Sequence, residues 1–399
     1  MIHYIGCDDP SLDLFESQYQ VPAGMCYNSY YIADEHPAIM DTVDQRCADA
    51  WKAKLQAIVA QTGRTPEYLV VHHMEPDHSA LIAWTLSAYP ELKLVASAQA
   101  LKMLPQFFEG IQTEGRTLPV KEGSRLPLGQ HELCFIGAPM IHWPEVMVSY
   151  DAASKTLFSA DAFGKFGTYD ADRDDWACEA RRYYFNICGK YGTQVQTLLK
   201  KVAAAGELQT VCPLHGPILS MPETGGQAAS GHEPLHILPE ALRLYDIWSR
   251  YAVETEGVFI AHASIHGGTK AAAERLAEIL QAKGCPKVAT SDLTRDDMAE
   301  AIEDAFRYGR MVVCASSYDA SVFPPMHAFL HKLQLKAYQQ RRVAIVENGT
   351  WAPTAGRVMR DMLSQMKQVE IVEPMLTLRS RLHSDQLPLL EQLADAILA

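Results

Sequence analysis

The 399-residue sequence predicts a two-domain α/β protein whose C-terminal half is a doubly wound parallel sheet. Three observations carry that prediction. The length exceeds what one ordinary hydrophobic core serves, so two domains are expected. From Val258 onward, short apolar runs alternate five times with stretches of helical length. Before Tyr251 the pattern differs, because four strands end in loops that carry His, Asp or Glu. The composition changes near Tyr251, which places domains at 1–251 and 252–399 with a short linker. The sequence holds no internal repeat and no low-complexity segment.

Taken in order, Tyr27 to Asp44 reads as two strands around a polar turn at Asp34–Pro37, then a loop at Asp41–Asp44. Ala48 to Thr62 is amphipathic and helical, and it leads to an apolar, β-branched strand beginning at Glu67. Ser79 to Tyr89 reads as a helix packed back on that strand. Leu92 to Ala98 is a further strand and Ala100 to Phe108 a helix. Glu132 to Gly137 is an apolar strand that runs into Ala138–Glu145. Met147–Tyr150 and Thr156–Ser159 form a hairpin ending at Ala160–Gly164, and Leu208–Val211 delivers Cys212–Pro217. In the second half the strands fall at 258–262, 287–290, 311–315, 342–346 and 369–372. The helices fall near 269–283, 295–307, 325–338, 354–367 and 384–398.

Composition narrows the function. With 48% apolar and 21% charged residues, the chain has the make-up of a soluble globular protein. Its formal charge of −13 argues against nucleic acid or an anionic membrane as partner. No apolar run is long enough to span a bilayer, and the first residues have neither a basic nor an apolar leader pattern, so a cytoplasmic location is expected. The nine cysteines are scattered without a Cys-x-x-Cys pair, which fits reduced thiols and excludes a zinc ribbon or a rubredoxin-type iron site within this sequence. Each cysteine reads best as a small buried hydrophobe.

The richest stretch is Glu67 to Ser79. Its second half sets His73, Glu75, Asp77 and His78 in six residues around Pro76. Proline keeps that segment out of a helix interior and pushes Glu75 to an extended conformation. In an open loop, alternate side chains share a face, so His73, Glu75 and Asp77 are expected to converge while His78 turns away. Two imidazoles and two carboxylates so close together are half of a two-metal site. The other half comes from later strand ends, at His142, Asp161 and His215. Each of these alone is as readily a structural residue: a core histidine, a turn cap, a partner for a carbonyl. Together, at four separate strand ends, they make a metal centre. The mix of oxygen and imidazole nitrogen suits iron or manganese, with zinc remaining an alternative. One carboxylate spanning two ions about 3.5–4 Å apart is expected. His72 does not fit the spacing and reads as core, or as support behind a ligand.

These residues carry a resemblance. His-x-Glu-x-Asp-His at 73–78, with His142, Asp161 and His215, resembles the pattern of the flavodiiron proteins (A-type flavoproteins) over essentially the whole chain. The resemblance implies a metallo-β-lactamase-like αββα sandwich domain followed by a flavodoxin-like doubly wound parallel sheet. It is specific because Glu75 stands where hydrolytic relatives of the fold carry histidine. It implies one iron on His73, Glu75 and His142, the other on Asp77, His78 and His215, and Asp161 as the bridging, catalytic carboxylate; family members vary in direct binding at the His78 position.

The second half bears out a nucleotide-sized expectation in its loops. After the first strand come Ser264, Ile265, His266, Gly267, Gly268 and Thr269, then a helix. Hydroxyls, glycines and free helix amides form a cradle for a phosphate dianion. The run is not Gly-x-Gly-x-x-Gly, so a mononucleotide fits better than a dinucleotide. Ser316, Ser317, Tyr318, Asp319 and Ala320 follow the third strand, and Asn348, Gly349, Thr350 and Trp351 the fourth. Polar loops bearing an aromatic suit an isoalloxazine ring, and both resemble the ring-binding loops of flavodoxin-like domains, as does Val322–Pro325. FMN is the cofactor expected.

A metal pair with a flavin makes a redox device. The resemblance implies reduction of dioxygen to water or of nitric oxide to nitrous oxide, with electrons from rubredoxin or another external donor. It also implies a head-to-tail homodimer, which brings each flavin to the partner's iron site. The alternative is a zinc or other di-metal hydrolase with a flavodoxin-like accessory domain, and Glu75 counts against it.

Overall fold

The computed structural model describes residues 1–222 and 232–399, which fall into two compact units. The first comprises 1–184 with 191–246, the second 185–190 with 247–399.

The first unit is built on two six-stranded sheets. One runs β1 (Ile2–Tyr4), β2 (Tyr30–Ile32), β3 (Ala38–Met40), β4 (Tyr68–Val71), β5 (Lys93–Ser97) and β6 (Thr117–Val120) in spatial order. Its first two pairings are antiparallel and the next three parallel. The other runs β7 (Arg125–Pro127), β8 (Glu132–Gly137), β9 (Met147–Asp151), β10 (Thr156–Phe158), β11 (Thr210–Cys212) and β12 (Leu219–Ser220). There only β10 and β11 pair in parallel. Ile2, Tyr30, Met40, Val70 and Val95 from the first sheet meet Leu133, Phe135, Met147 and Phe158 from the second in one buried cluster. The core of this unit therefore lies between the sheets, as in a sandwich.

Helix Ala48–Thr62 shows why the local text folds as it does. Ala48, Trp51, Leu55 and Ile58 bury one stripe at helical spacing. Gly63 then ends the helix in the left-handed region (φ +65°), and its N–H bonds to the Val59 carbonyl. The stretch between Gly164 and Leu208, where the sequence reading sets no element, contains helices Trp176–Ile187 and Gly192–Ala205.

The second unit is a six-stranded sheet whose five parallel strands are β13 (Thr255–Ala263), β14 (Val288–Asp292), β15 (Tyr308–Tyr318), β16 (Arg341–Asn348) and β17 (Val369–Leu378), with the short strand Ser321–Val322 antiparallel beside β15. The spatial order is β14-β13-β15-β16-β17, all pairs parallel. Helices Gly268–Ala282 and Leu387–Leu398 cover one face through Leu276, Ile279, Leu390 and Leu393. Helices Met298–Arg307, Pro324–Leu335 and Ala355–Ser364 each bury an apolar stripe of their own. The doubly wound sheet expected from the alternation is present. Arg341, buried at the start of β16, donates to the carbonyls of Tyr251, Ala252, Phe306 and Tyr308 and so ties the sheet's lower edge together.

Candidate metal centre and cofactor cleft

The strand β4 ends at Val71, and the backbone at Glu75 is extended (φ −58°, ψ 140°). Here the structure corrects the sequence reading. Pro76 does not hold an open loop; it is the first residue of a helical turn, Pro76–Ser79. That position needs no N–H, so proline starts the turn rather than preventing it. The turn carries Asp77 and His78 together, away from His73 and Glu75. Asp77 therefore does not converge with His73 and Glu75, as strict alternation would have it.

Two groups of donors result. In the first are His73, Glu75, His142 and Asp161, with one ligand atom from each lying within 4.8 Å of the others. Glu75 Oε2 is 3.1 Å from His73 Nε2 and 2.9 Å from His142 Nε2. The second holds Asp77, His78 and His215. Asp77 Oδ2 is 3.4 Å from His78 Nε2 and 3.3 Å from His215 Nε2. Asp161 turns one oxygen to each group. Its Oδ2 is 3.2 Å from His142 Nε2 and 3.5 Å from His73 Nε2. Its Oδ1 is 3.2 Å from His78 Nε2 and 3.9 Å from His215 Nε2.

The site's polar accounting fits cations. Asp77 and Asp161 are buried, yet all four of their carboxylate oxygens lack a hydrogen-bond partner. Buried carboxylates left so are costly unless a positive charge compensates them. Titration tells the same story. Burial opposes ionisation of Asp161, but the charge on His73 and the imidazoles of His142 and His78, each 3.2 Å away, hold its carboxyl well below the ordinary range. Glu75 is likewise brought down to about 2, against burial, by His142 and His73. In return, and again against burial, Asp161 and Glu75 lift His142 to about 9. Asp161 and Glu145 lead the groups that raise His73, and Asp77 and Asp161 those that raise His78. Raised imidazoles thus face lowered carboxylates, a charge pairing that two cations would replace.

Residues behind the donors aim them. His73 Nδ1 lies 2.8 Å from Glu145 Oε1, which also accepts the Met74 N–H at 3.0 Å. His215 Nδ1 donates to the Cys26 carbonyl at 2.8 Å. Both bonds turn the Nε2 lone pair to the site. Gly164 makes room: a Cβ there would meet the Asp161 carbonyl at 3.0 Å and the Tyr183 ring at 3.3 Å. The bend Asp41–Thr42 holds both ends of the ligand segment. Asp41 accepts the His72 N–H at 2.7 Å and faces its ring Nδ1 at 2.5 Å, while Thr42 donates from Oγ1 to the His78 carbonyl at 2.7 Å. His72 lies outside both groups, its Nε2 2.8 Å from Ser149 Oγ. Sequence reasoning gave no role to Glu145, Asp41, Thr42 or Cys26, because each reaches its partner from a distant strand.

In the second unit, the loops after β13, β15 and β16 enclose a cleft of about 600 Å³. Ser264, Ile265, His266, Gly268 and Thr269 line it from the first loop. Ser316, Ser317, Tyr318, Asp319 and Ala320 line it from the second, and Asn348, Gly349, Thr350 and Trp351 from the third. Gly267 does not line it. Instead it caps helix Gly268–Ala282 at φ +85°, and its N–H bonds to Ser264 Oγ at 3.0 Å. Ser380 and Thr354, which the sequence reading missed, also line the cleft. Ser380 arrives from the end of β17, accepts from Asn348 Nδ2 at 3.0 Å, and packs so close that a Cβ on Gly268 would fall 2.1 Å from its carbonyl. Thr269 Oγ1 and Ser316 Oγ share a hydrogen bond of 2.9 Å beneath the helix start. At the mouth, Trp351 is 88% exposed and Tyr318 46%. Hydroxyls and helix amides at one end and aromatic faces at the other fit a flat ring carrying a phosphate.

Comparison with known proteins agrees with this geometry. Residues 25–216 match the family model described as ODP family beta lactamase. Diflavin flavoprotein A 1 of Synechocystis sp. is 32% identical over 253 residues, 61% of this chain and 40% of its own length. The anaerobic nitric oxide reductase flavorubredoxin of Escherichia coli is 23% identical over 401 residues, 96% of this chain and 78% of its own. Among solved structures, rubredoxin oxygen:oxidoreductase from Desulfovibrio gigas superposes with a TM-score of 0.89 at 22% identity, covering 99% of this chain and 96% of that one. The flavodiiron protein of Giardia intestinalis gives 0.87 at 21%, covering 99% and 93%. The chain spans about half the length, or less, of the diflavin relatives it matches first. Fold and site thus define a two-domain protein with a metallo-β-lactamase-like domain, a di-metal donor set and a flavodoxin-like domain. In fold the chain is similar to the flavodiiron proteins, and in sequence to the diflavin flavoproteins. No helix of the described residues is long and apolar enough to cross a membrane.

Proposed function

We propose that this chain is an oxidoreductase that reduces dioxygen to water, nitric oxide to nitrous oxide, or both, at a non-haem diiron site fed through FMN. The observation that carries the reading is Asp161: buried, without a hydrogen-bond partner, and turning one oxygen to each donor group. His73, Glu75 and His142 would hold one iron, Asp77, His78 and His215 the other, with Asp161 between them. FMN would lie in the cleft of the 252–399 domain, its phosphate at Ser264–Thr269 and its ring between Tyr318 and Trp351.

Two ferrous ions and a reduced flavin supply four electrons, enough for dioxygen, while two nitric oxides need two. The protein's part is to bind, orient and shield. Glu145 and the Cys26 carbonyl fix which nitrogen of His73 and His215 faces inward. Glu75 brings a carboxylate where hydrolytic relatives carry histidine, which favours iron over zinc. The near-complete burial of His73, His78, His215 and Asp161 keeps bulk water from the donors.

Rubredoxin or another small electron carrier is the external donor in this reading. A head-to-tail homodimer would set each flavin against the partner's iron pair, and the location is cytoplasmic. The experiment is metal analysis and a visible spectrum on the purified protein, then anaerobic reduction and stopped-flow mixing with each gas. Two irons and one FMN per chain, with reoxidation by at least one gas, are expected. Zinc without flavin, or cofactors inert to both gases, would overturn the reading.

A further inference from the structure

All nine cysteines are free, and two of them face each other. Cys7 lies in the short strand Cys7–Asp9, which pairs with Met25–Tyr27. Cys47 closes the turn Gln45–Cys47 and caps the N-terminus of helix Ala48–Thr62. Cys7 Sγ is 3.9 Å from the Cys47 carbonyl, and Cys47 Sγ is 3.9 Å from the Asp8 carbonyl. Each sulfur thus lies against the backbone of the segment that carries the other, where strand packs on turn. The neighbouring Cys47 thiol, with burial behind it, pushes the Cys7 thiol above its ordinary range. Both residues keep 6% exposure, so the pair lies just beneath the surface. Neither thiol has a part in the proposed reaction.

We propose that Cys7 and Cys47 form a redox modification site, a dithiol that hydrogen peroxide closes into an intramolecular disulfide. The Cys47 thiolate attacks one peroxide oxygen, the O–O bond breaks, and water leaves after taking up a proton. Cys47 is then a sulfenic acid. The Cys7 sulfur attacks the Cys47 sulfur, the S–S bond forms, and the hydroxyl departs as a second water with the Cys7 proton. Two thiols and one peroxide give one disulfide and two waters; the sulfurs lose two electrons and the peroxide gains them. The bond joins the first strands to the start of helix Ala48–Thr62, behind Tyr27, whose ring lies 5.8 Å from that of His215.

The 399-residue protein as purified is treated with a tenfold excess of hydrogen peroxide, unfolded, alkylated and mapped by mass spectrometry. A loss of 2 Da, roughly the mass of two hydrogens, and a peptide pair joined through Cys7 and Cys47 are expected. Alkylation of both should fall at least tenfold and return with dithiothreitol, while buried Cys26, Cys212 and Cys314 stay fully alkylated. Cys7→Ser should leave Cys47 as a sulfenic acid that dimedone traps. Full alkylation of both thiols after peroxide, or sulfinic and sulfonic acids without a joined peptide, would overturn the assignment. The wild-type map decides the matter even where the variant does not fold.

Discussion

The metal centre and the cofactor cleft solve the same problem, holding a charged guest, by opposite means. The centre is buried and made of side chains, four histidines and three carboxylates that compensate one another's charge. The cleft is open and made of backbone and hydroxyls, with Trp351 almost wholly in solvent. A guest that stays for good needs buried charges matched to it, and those charges cannot be left alone cheaply. A planar ligand held by neutral donors tolerates an open mouth. The first kind of site fails when a charge is removed, the second when a shape is changed.

The largest effect expected follows from that contrast. Asp161→Asn should lower bound metal at least tenfold and leave FMN in place, read by metal analysis beside the flavin spectrum. Loss of flavin as well would break the comparison. Gly268→Ala should do the reverse. Its Cβ falls on the Ser380 carbonyl, so FMN should bind on the order of tenfold more weakly while metal content holds, measured by fluorescence titration of the flavin-free protein. Glu145→Gln keeps the shape behind His73 but removes the charge. Metal affinity should fall about 10-fold to 100-fold, read by competition with a chromophoric chelator.

The smallest effect sharpens the meaning of an orphaned carboxylate. Asp151 is as buried as Asp161 but fully partnered, facing His131 Nδ1 at 2.7 Å and accepting the Ser154 N–H at 3.2 Å. Burial raises its pKa, yet the His131 and Ser154 hydrogen bonds win and hold it below the ordinary value. Its folded pKa is depressed, so its contribution to stability is complete at neutral pH and is lost as pH falls through the folded value. Asp151→Asn should cost about 1–2 kcal/mol at pH 7, flatten the acid limb of the stability curve, and leave metal content unchanged, all read by urea titration across pH.

Much of this was legible in the sequence, for reasons that differ by element. The alternation after Val258 gave the parallel sheet because each βα unit is local, and the strand ends at 73–78, 142, 161 and 215 gave the residues that the fold gathers into two groups, because their types are unusual together. The assignment of Asp77 was not legible from periodicity: extended and helical backbones send it opposite ways, and Pro76 is compatible with both. Ser380 and Glu145 had no local mark, since their role exists only once distant strands are side by side. The helices Trp176–Ile187 and Gly192–Ala205 did have one, apolar positions such as Val195, Leu198 and Val202 at helical spacing, which the reading passed over.

The bend Asp41–Thr42 has a further consequence. By gripping the chain just before His73 and again at His78, two neighbouring residues fix the length and pitch of the segment that supplies donors to both groups. The spacing of the two donor groups is thereby written into the polypeptide before any cation arrives, and a substitution that slackens this bend would loosen both groups at once.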